Sequence, residues 1–421
     1  MSVVSQRNHL VDLARVASMV IVIVFHTLLW QILLVDGRVQ VVPWAPGPVL
    51  WAISWVATII PIFFVAAGFA NAVVVDRWRH SGASYAAFLT LRGSRLLGPL
   101  TLFTLVFATV GTIGAWTVSP SAAATLSRQF AQLLWFAVVY LLLLAAAPLA
   151  VWLHDRCGGW VMLPLLIGVI GVDAVVRVSG DLSLQWVNLA FVWPLAHQWG
   201  IAYHRGWFRT WRRPLLFGLL AAGAAVIAGL VWLLHYPPAA VAWADVLVAN
   251  LLPPTLAIAV LGWCQTIVLA LLQQSGVADR LSERALGVVR IANALLLSAY
   301  LWHIPAIVVA AAILVGLSLL IPPASVVLMS PIVLIVLVVA IVIVAVPQIA
   351  RLELRLIPTH GEGEPQALAA LAGYALFVMG VWAVWQFGAL LHPAEPAAGF
   401  AVLVFALGVW LLRRATTRTS G

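Results

Sequence analysis

The chain has 421 residues, of which 64% are hydrophobic and only 8% are charged. Soluble domains are about 45–50% apolar and about 25% charged, so this composition excludes a soluble enzyme, a disordered protein and a nucleic-acid-binding protein. The net charge of +9 comes from 22 arginines and no lysine. These arginines lie in short clusters between apolar runs, where positive charge sets membrane topology. The composition therefore predicts a polytopic membrane protein.

Apolar runs of about 20 residues, the length that crosses a bilayer as a helix, predict twelve spans. The first run is too long for a signal peptide and lacks a small-residue cleavage site, so we expect a retained span. In chain order the runs lie near 9–34, 49–75, 95–116, 129–152, 160–177, 185–203, 214–234, 246–272, 293–318, 328–349, 367–390 and 398–412. The sequence therefore predicts an all-α polytopic transmembrane helix bundle.

The arginines predict the orientation of these spans. With the amino terminus in the cytoplasm and alternating sides, eighteen of the 22 arginines fall in inner segments. Arg38, Arg128 and Arg177 fall outside, and Arg15 lies within the first span. Because loops facing the cytoplasm carry an excess of positive charge, we expect a multi-pass plasma-membrane protein with both termini in the cytoplasm.

Ionisable side chains inside a span are costly, and each is a candidate functional residue. The first span carries Asp12, Arg15 and His26. On an α-helix the eleven residues from Arg15 to His26 turn through about 20° and rise about 16 Å, and Asp12 lies about 40° from that line. A neutral imidazole on this polar stripe can take a proton, so His26 is a candidate base. Alternatively, Asp12 and Arg15 neutralise each other and His26 makes one structural hydrogen bond.

Two further motifs carry candidate residues. Arg92 and Arg95, at the cytoplasmic mouth of the third span, form a basic rim suited to phosphates, or else serve only as topology anchors. His303 lies in an apolar segment between Tyr300 and Pro305. A single histidine in such a helix either acts at a site or makes a structural hydrogen bond.

Other features indicate packing or have no assigned chemistry. Gly68 in the second span predicts a close helix approach. Asp173 and His197 could pair inside the bundle, but the sequence gives neither a role. The sequence contains no zinc-binding pattern, P-loop or Gly-x-Ser-x-Gly motif, and we expect no metal.

Together these motifs resemble those of the acyltransferase-3 family of integral membrane acyltransferases. The segment that opens at Arg7 resembles the family's first-helix signature, whose hallmark is a basic residue, ten intervening residues and a histidine. Arg15 and His26 meet that spacing. Residues 63–69 resemble a stretch of the second helix, except that Ala67 stands where the family usually has serine. The matches to the third-helix and late-helix motifs are Arg92, Arg95, Pro99, Tyr300, His303 and Pro305.

The resemblance covers about residues 7–350 and implies an organisation for the whole chain. It implies a ten-helix core over 1–350 and a cytoplasmic linker over 351–366. A two-helix extension with a basic cytoplasmic tail follows over 367–421. No fused hydrolase-like domain is visible in the sequence, so this chain would transfer the acyl group unaided.

The resemblance also implies a reaction. Acyl-CoA, expected to be acetyl-CoA, would dock its phosphates on Arg92 and Arg95 from the cytoplasm. His26 would then be the base or a transient acyl carrier, and Arg15 would steer the donor or hold Asp12 in place. Tyr300 and His303 would lie beside the substrate.

The expected acceptor is a hydroxyl of a cell-envelope saccharide or glycolipid. A chain without lysine is typical of a GC-rich genome. If that genome is actinobacterial, a trehalose mycolate is an example of such an acceptor. Membrane lipids are the other expected partners, and nucleic acid is not one.

Three other readings of the polar spans remain open at this point. A transporter or flippase of a small solute or lipid also places polar residues inside a bundle. A membrane-bound O-acyltransferase of the other large class would use His303 as its catalytic residue, with His26 secondary. A structural membrane subunit is the third reading, and it leaves the polar stripe on the first span without a purpose.

Overall fold

The computed structural model describes residues 8–35, 38–45, 47–243, 245–358 and 363–417. Helices account for most of these residues, and a single antiparallel pair of strands interrupts them within the described part. The helices are α1 (His9–Leu28), α2 (Pro48–Ala57), α3 (Ile60–Arg79), α4 (Tyr85–Thr117), α5 (Pro120–Ala131), α6 (Leu134–Cys157), α7 (Met162–Ser179), α8 (Leu189–His204), α9 (Arg213–Trp232), α10 (Leu256–Gln274), α11 (Glu283–Ala294), α12 (Leu296–Leu320), α13 (Ser325–Leu328), α14 (Pro331–Leu356), α15 (Ala367–Phe387) and α16 (Pro396–Thr417).

Within the described residues, ten helical segments are long and apolar enough to cross a membrane. One of them, Leu134–Ser179, is 46 residues long and contains both α6 and α7. Gly158 lies between these two helices with a φ of 57°, a conformation that glycine adopts without strain and that ends helices. α8 has 16 residues, fewer than the roughly 20 that a span needs. The all-α polytopic bundle is confirmed, and the count of twelve spans stays a prediction.

The carboxyl end of the first predicted span differs from the expectation. The apolar run was predicted to be helical to residue 34, but α1 ends at Leu28. The strands β1 (Trp30–Val35) and β2 (Arg38–Pro43) follow and pair antiparallel, with Ile32 opposite Val41. A short apolar run is compatible with either a helix or a strand, so hydropathy alone did not separate the two.

The second and third predicted spans also begin or break elsewhere. The second is divided into α2 and α3, because Thr58 is extended and ends α2. The third was predicted to start at residue 95, but α4 starts at Tyr85, where the Ser84 hydroxyl accepts a hydrogen bond from the Ala87 amide. Such caps satisfy the free amides of the first helical turn. Arg92 and Arg95 therefore lie inside a helix and not at its entrance.

The chain divides into two compact units, called here the first and the second unit. The first unit comprises Met1–Val75, Ala146–Leu296 and Val309–Val338, and the second comprises Asp76–Ala145, Leu297–Val308 and Val339–Gly421. In the first unit α10 contacts α1, α8 and α9, and α1 contacts α11. In the second unit α15 and α16 pack together and against α4.

Glycines allow helices to approach closely inside each unit. In the first unit, a Cβ added to Gly68 would lie 1.9 Å from the His197 carbonyl oxygen, and one on Gly200 would lie 1.9 Å from the Val65 carbonyl oxygen. The predicted packing role of Gly68 is confirmed. In the second unit, a Cβ on Gly380 would lie 2.3 Å from Phe405 Cα. Small residues at such crossings let backbones meet, as is common between membrane helices.

Candidate active site

α1 carries three of the predicted site residues. Its first turn is capped by Asn8, whose side-chain oxygen accepts from the Leu10 and Val11 amides at 3.1 Å each. The helix then continues without a break for 20 residues. Because it is continuous, Arg15 and His26 differ by only about 20° around its axis. The polar stripe predicted from the sequence therefore exists on this helix.

His26 is partly buried near the carboxyl end of α1. Its Nδ1 lies 2.8 Å from the Val22 carbonyl oxygen. A carbonyl oxygen only accepts hydrogen bonds, so Nδ1 carries the proton of the neutral ring. The basic lone pair is then on Nε2. The local helix backbone thus selects the tautomer in which Nε2 can accept a proton.

Asp12 and Arg15 do not pair with each other. Asp12 is buried, and its Oδ1 accepts a hydrogen bond of 2.9 Å from Asn293 Nδ2 on α11. The described residues contain no ion pair between Asp12 and Arg15. The suggestion that Arg15 holds Asp12 in place therefore has no contact to support it, and Asn293 holds the carboxylate instead.

Aromatic rings cover the carboxyl end of α1 in the first unit. The Phe25 ring, next to His26 in the chain, lies 4.9 Å from the Trp243 ring, and Trp44 lies 6.0 Å from the same indole. Trp243 belongs to the loop between α9 and α10 and is buried. These rings form an apolar layer at the end of α1 that carries His26.

A small cavity opens at the same end of α1. Its volume is about 140 Å³, and all of its lining residues belong to the first unit. Thr27 and Gln31 contribute polar groups, and Trp44 and Leu314 contribute apolar ones. Since Thr27 follows His26 in the chain, the cavity adjoins the turn of helix that holds the candidate base.

Arg92 and Arg95 lie on α4 in the second unit. Arg92 is partly buried, and its guanidinium is within electrostatic reach of Arg77, Arg95 and Tyr140. None of Arg77, Arg92 and Arg95 forms an ion pair with another described residue. Clustered cations repel one another, and an anion that bridges them relieves the repulsion. The cluster is therefore suited to bind phosphate groups.

Tyr300 and His303 lie on α12, also in the second unit. The Tyr300 hydroxyl donates to the Leu133 carbonyl oxygen at 3.0 Å, and His303 Nδ1 lies 2.6 Å from the Tyr300 carbonyl oxygen. His303 is fully buried. This backbone contact orients the His303 ring as the Val22 carbonyl orients that of His26, and both readings of His303 stay predictions.

Glu353 on α14 is a buried acid that the sequence analysis missed. Glu353 is 2% exposed, and its carboxylate accepts hydrogen bonds from Ser298 Oγ and, at 3.1 Å, from Trp302 Nε1. The Glu353 carbonyl oxygen would lie 2.3 Å from a Cβ on Gly98, three residues after Arg95 on α4. Glu353 lies between Arg351 and Arg355 just after an apolar run, and an acid so close to a span is the signal that could have identified it.

Asp173 and His197 do not pair with each other. His197 Nε2 lies 3.1 Å from Asn71 Nδ2, in the same helix crossing as Gly68. Asp173 instead accepts hydrogen bonds from Gln185, Asn188, Tyr236 and the Leu256 amide. The spacing between Asp173 and His197 in the sequence did not indicate these hydrogen-bond partners, most of which lie far from them along the chain.

Comparison with known proteins gives one match. Residues 8–347 match the family model Acyl_transf_3, described as an acyltransferase domain. No curated protein and no solved structure gives a match. The match ends before α15 and α16, and the predicted division at residue 350 stays a prediction. Because the matched region covers well over half of the chain, this multi-pass membrane protein belongs to the acyltransferase-3 family and is an acyltransferase.

Proposed function

We propose that the chain transfers an acetyl group from cytoplasmic acetyl-CoA to a hydroxyl of a cell-envelope saccharide or glycolipid, with His26 at the reaction centre. The observation that carries this proposal is the contact between His26 Nδ1 and the Val22 carbonyl oxygen. It leaves the basic lone pair on Nε2, the atom that a general base or an acyl carrier needs.

In the general-base route, Nε2 of His26 takes the proton of the acceptor hydroxyl as its oxygen attacks the thioester carbonyl carbon. The new C–O bond forms, the C–S bond breaks, and the departing CoA sulfur takes the proton from the imidazolium. The products are an acetyl ester and free CoA, and His26 is neutral again. Positioned bases of this kind contribute about 10²–10⁴-fold to a rate.

In the carrier route, Nε2 attacks the thioester carbonyl carbon first, the C–S bond breaks, and CoA leaves as a thiolate from an acetyl-imidazolium. The acceptor oxygen then bonds to that acetyl carbon as the C–N bond breaks. The hydroxyl proton passes through water to the CoA thiolate, and His26 is neutral again. The two routes differ in whether labelled acetyl stays on the protein when acetyl-CoA is supplied without acceptor. Both require the same nitrogen and the same tautomer.

The donor site is proposed to include Arg92 and Arg95. CoA carries phosphate groups, and the unpaired cluster of these arginines with Arg77 matches that charge. Arg15, on the same face of α1 as His26, is proposed to steer the donor along the helix. Asp12, held by Asn293, anchors the cytoplasmic end of that face.

The proposed location is the plasma membrane, with both termini in the cytoplasm. The support is the distribution of arginines, which the positive-inside rule assigns to the cytoplasmic side. A cysteine in place of Pro322 should react with a membrane-impermeant maleimide added outside, and one in place of Arg213 should not. Gly361, which the same topology assigns to the cytoplasm, lies outside the described residues. External labelling at the Arg213 position would overturn this topology.

The proposed function is tested with radiolabelled acetyl-CoA and membranes that contain the protein. A total envelope glycolipid extract from an actinobacterium serves as the acceptor probe. Label should appear in a glycolipid as a base-labile ester, and only when acetyl-CoA reaches the cytoplasmic face. Folded protein that leaves acetyl-CoA unconsumed, or that labels no saccharide or glycolipid, would refute the proposal.

A further inference from the structure

A second, larger cavity lies in the first unit, beyond the carboxyl end of α7. Its volume is about 720 Å³, within the range of about 300–1,000 Å³ that is usual for small-molecule sites. It is lined by the end of α7, the segment that precedes α8, and the loop between α9 and α10. In the proposed topology all three lie on the outer side of the membrane.

One buried carboxylate holds the walls of this cavity together. Asp173 is 4% exposed, and its Oδ1 accepts from Gln185 Nε2 at 2.6 Å and from Asn188 Nδ2 at 2.7 Å. Its Oδ2 accepts from the Tyr236 hydroxyl at 2.7 Å and from the Leu256 amide at 2.8 Å. The donors come from the segment before α8, from the α9–α10 loop and from the start of α10. Because both oxygens of the carboxylate accept two hydrogen bonds, Asp173 holds these segments in a rigid, preformed arrangement.

The groups that face the cavity combine aromatic surfaces with polar side chains. The Arg177 guanidinium lies 4.2 Å from the centre of the Tyr236 ring, so a cation–π contact fixes its position. Burial and the Asp173 carboxylate raise the pKa of the Tyr236 hydroxyl, which therefore stays a neutral donor to that carboxylate. The Trp186 indole is 40% exposed and lines the cavity together with His235.

The charge of the lining indicates a neutral ligand. Asp173 and Arg177 are the charged members among the described lining residues, so their formal charges cancel. The described lining therefore carries no net formal charge that would select an anion or a cation. The exposed Trp186 indole offers a flat apolar surface, and the Arg177 guanidinium, which also lines the cavity, offers several hydrogen-bond donors in a fixed plane.

From these observations we infer that the cavity binds a neutral sugar ring of the acceptor, with one face of the ring on Trp186 and its hydroxyls on Arg177 and His235. A sugar ring has an apolar face formed by its C–H groups and a rim of hydroxyls, which matches this lining. The inference rests on the proposed function, because it identifies the ligand with the acceptor of acyl transfer.

The α9–α10 loop connects this cavity to the catalytic helix. Tyr236 and Ala249 of the loop line the cavity, and Trp243 of the same loop packs on Phe25 beside His26. The Ser54 hydroxyl fixes the loop by accepting from the Ala240 amide at 2.9 Å. A saccharide held in the cavity therefore contacts the same loop that covers the outer end of α1.

The test is a binding measurement with trehalose on the full chain in lipid nanodiscs free of sugar detergents. Isothermal titration should detect trehalose binding at millimolar concentrations, and sorbitol, a polyol without a ring, should bind more weakly. Trp186→Ala and Arg177→Gln should each weaken trehalose binding by about tenfold, as expected for loss of the stacked indole and of the guanidinium hydrogen bonds, respectively. Trp232→Ala removes an indole that is 76% exposed and does not line the cavity, and it should change nothing.

The outcomes separate this inference from the proposed function. His26→Ala should bind trehalose as the wild type does while losing transfer. Wild-type binding that Trp186→Ala and Arg177→Gln leave unchanged would overturn the site, as would an absence of binding to trehalose, maltose and N-acetylglucosamine alike. Saccharide binding that depends on Trp186, in a protein that never transfers an acetyl group, would reject the proposed function and leave the sugar site standing.

Discussion

Replacing Asp173 with leucine should destabilise the first unit strongly. The substitution removes the acceptor of four hydrogen bonds, from Gln185, Asn188, Tyr236 and the Leu256 amide. A buried donor left without an acceptor costs about 1–3 kcal/mol, so four give an upper range of about 4–12 kcal/mol. Water from the adjoining cavity can satisfy some of these donors, and we expect a net loss of about 3–5 kcal/mol. This is a large share of the roughly 5–15 kcal/mol that stabilises a typical fold.

Thermal unfolding of purified protein in nanodiscs measures this loss as a fall in Tm. Asp173→Asn provides a graded comparison, because its amide oxygen still accepts hydrogen bonds while its NH₂ group faces other donors. Its Tm should therefore lie between those of the wild type and Asp173→Leu. Asp155→Asn is the matched control. Asp155 pairs with Arg205 at 2.8 Å on a partly exposed surface, and loss of such a pair costs about 1 kcal/mol or less. A Tm for Asp173→Leu equal to that of the control would refute the reasoning.

Two further predictions follow from the packing of the first unit and from the charges of the second. Gly68→Ala should destabilise the protein by about 1–3 kcal/mol in thermal unfolding, because its Cβ would overlap the His197 carbonyl oxygen. Gly218→Ala, where the Cβ meets nothing within 4 Å, should be neutral or stabilising. Arg92→Gln with Arg95→Gln should weaken acetyl-CoA binding about tenfold at low salt, and by less as added salt screens the charges. An unchanged affinity for the donor at low salt would reduce these arginines to topology anchors.

The sequence predicted those parts of the fold that depend on local periodicity and composition. Apolar runs identified the membrane helices, and helix geometry placed Arg15 and His26 on one face of α1 because both lie on one unbroken helix. The β1–β2 hairpin was missed because its strands continue the apolar run of α1. The Asp36-Gly37 dipeptide between the strands is a strong hairpin signal in the sequence, although these two residues lie outside the described part of the structure.

Contacts between distant segments could not be predicted from a single sequence. Asn293 is the partner of Asp12 although 281 residues separate them, and nothing local marks that asparagine. Glu353 was overlooked because Arg351 and Arg355 flank it, which made the segment resemble a juxtamembrane anchor. The start of α4 was placed too late for a similar reason, since Arg92 and Arg95 were taken as the flank of a span although Ser84 offered a cap.

The most direct test of the central claim is the initial rate of acetyl transfer by His26→Ala, measured beside its affinity for acetyl-CoA. If His26 Nε2 is the group that moves the proton or carries the acetyl group, the rate should fall by about 10²–10⁴-fold while Tm and donor affinity stay near wild type. His392→Ala, at a partly buried histidine outside the helices, is the control and should keep full activity. Near-normal turnover by His26→Ala, with loss of turnover in His303→Ala, would contradict the account and move the reaction centre to α12.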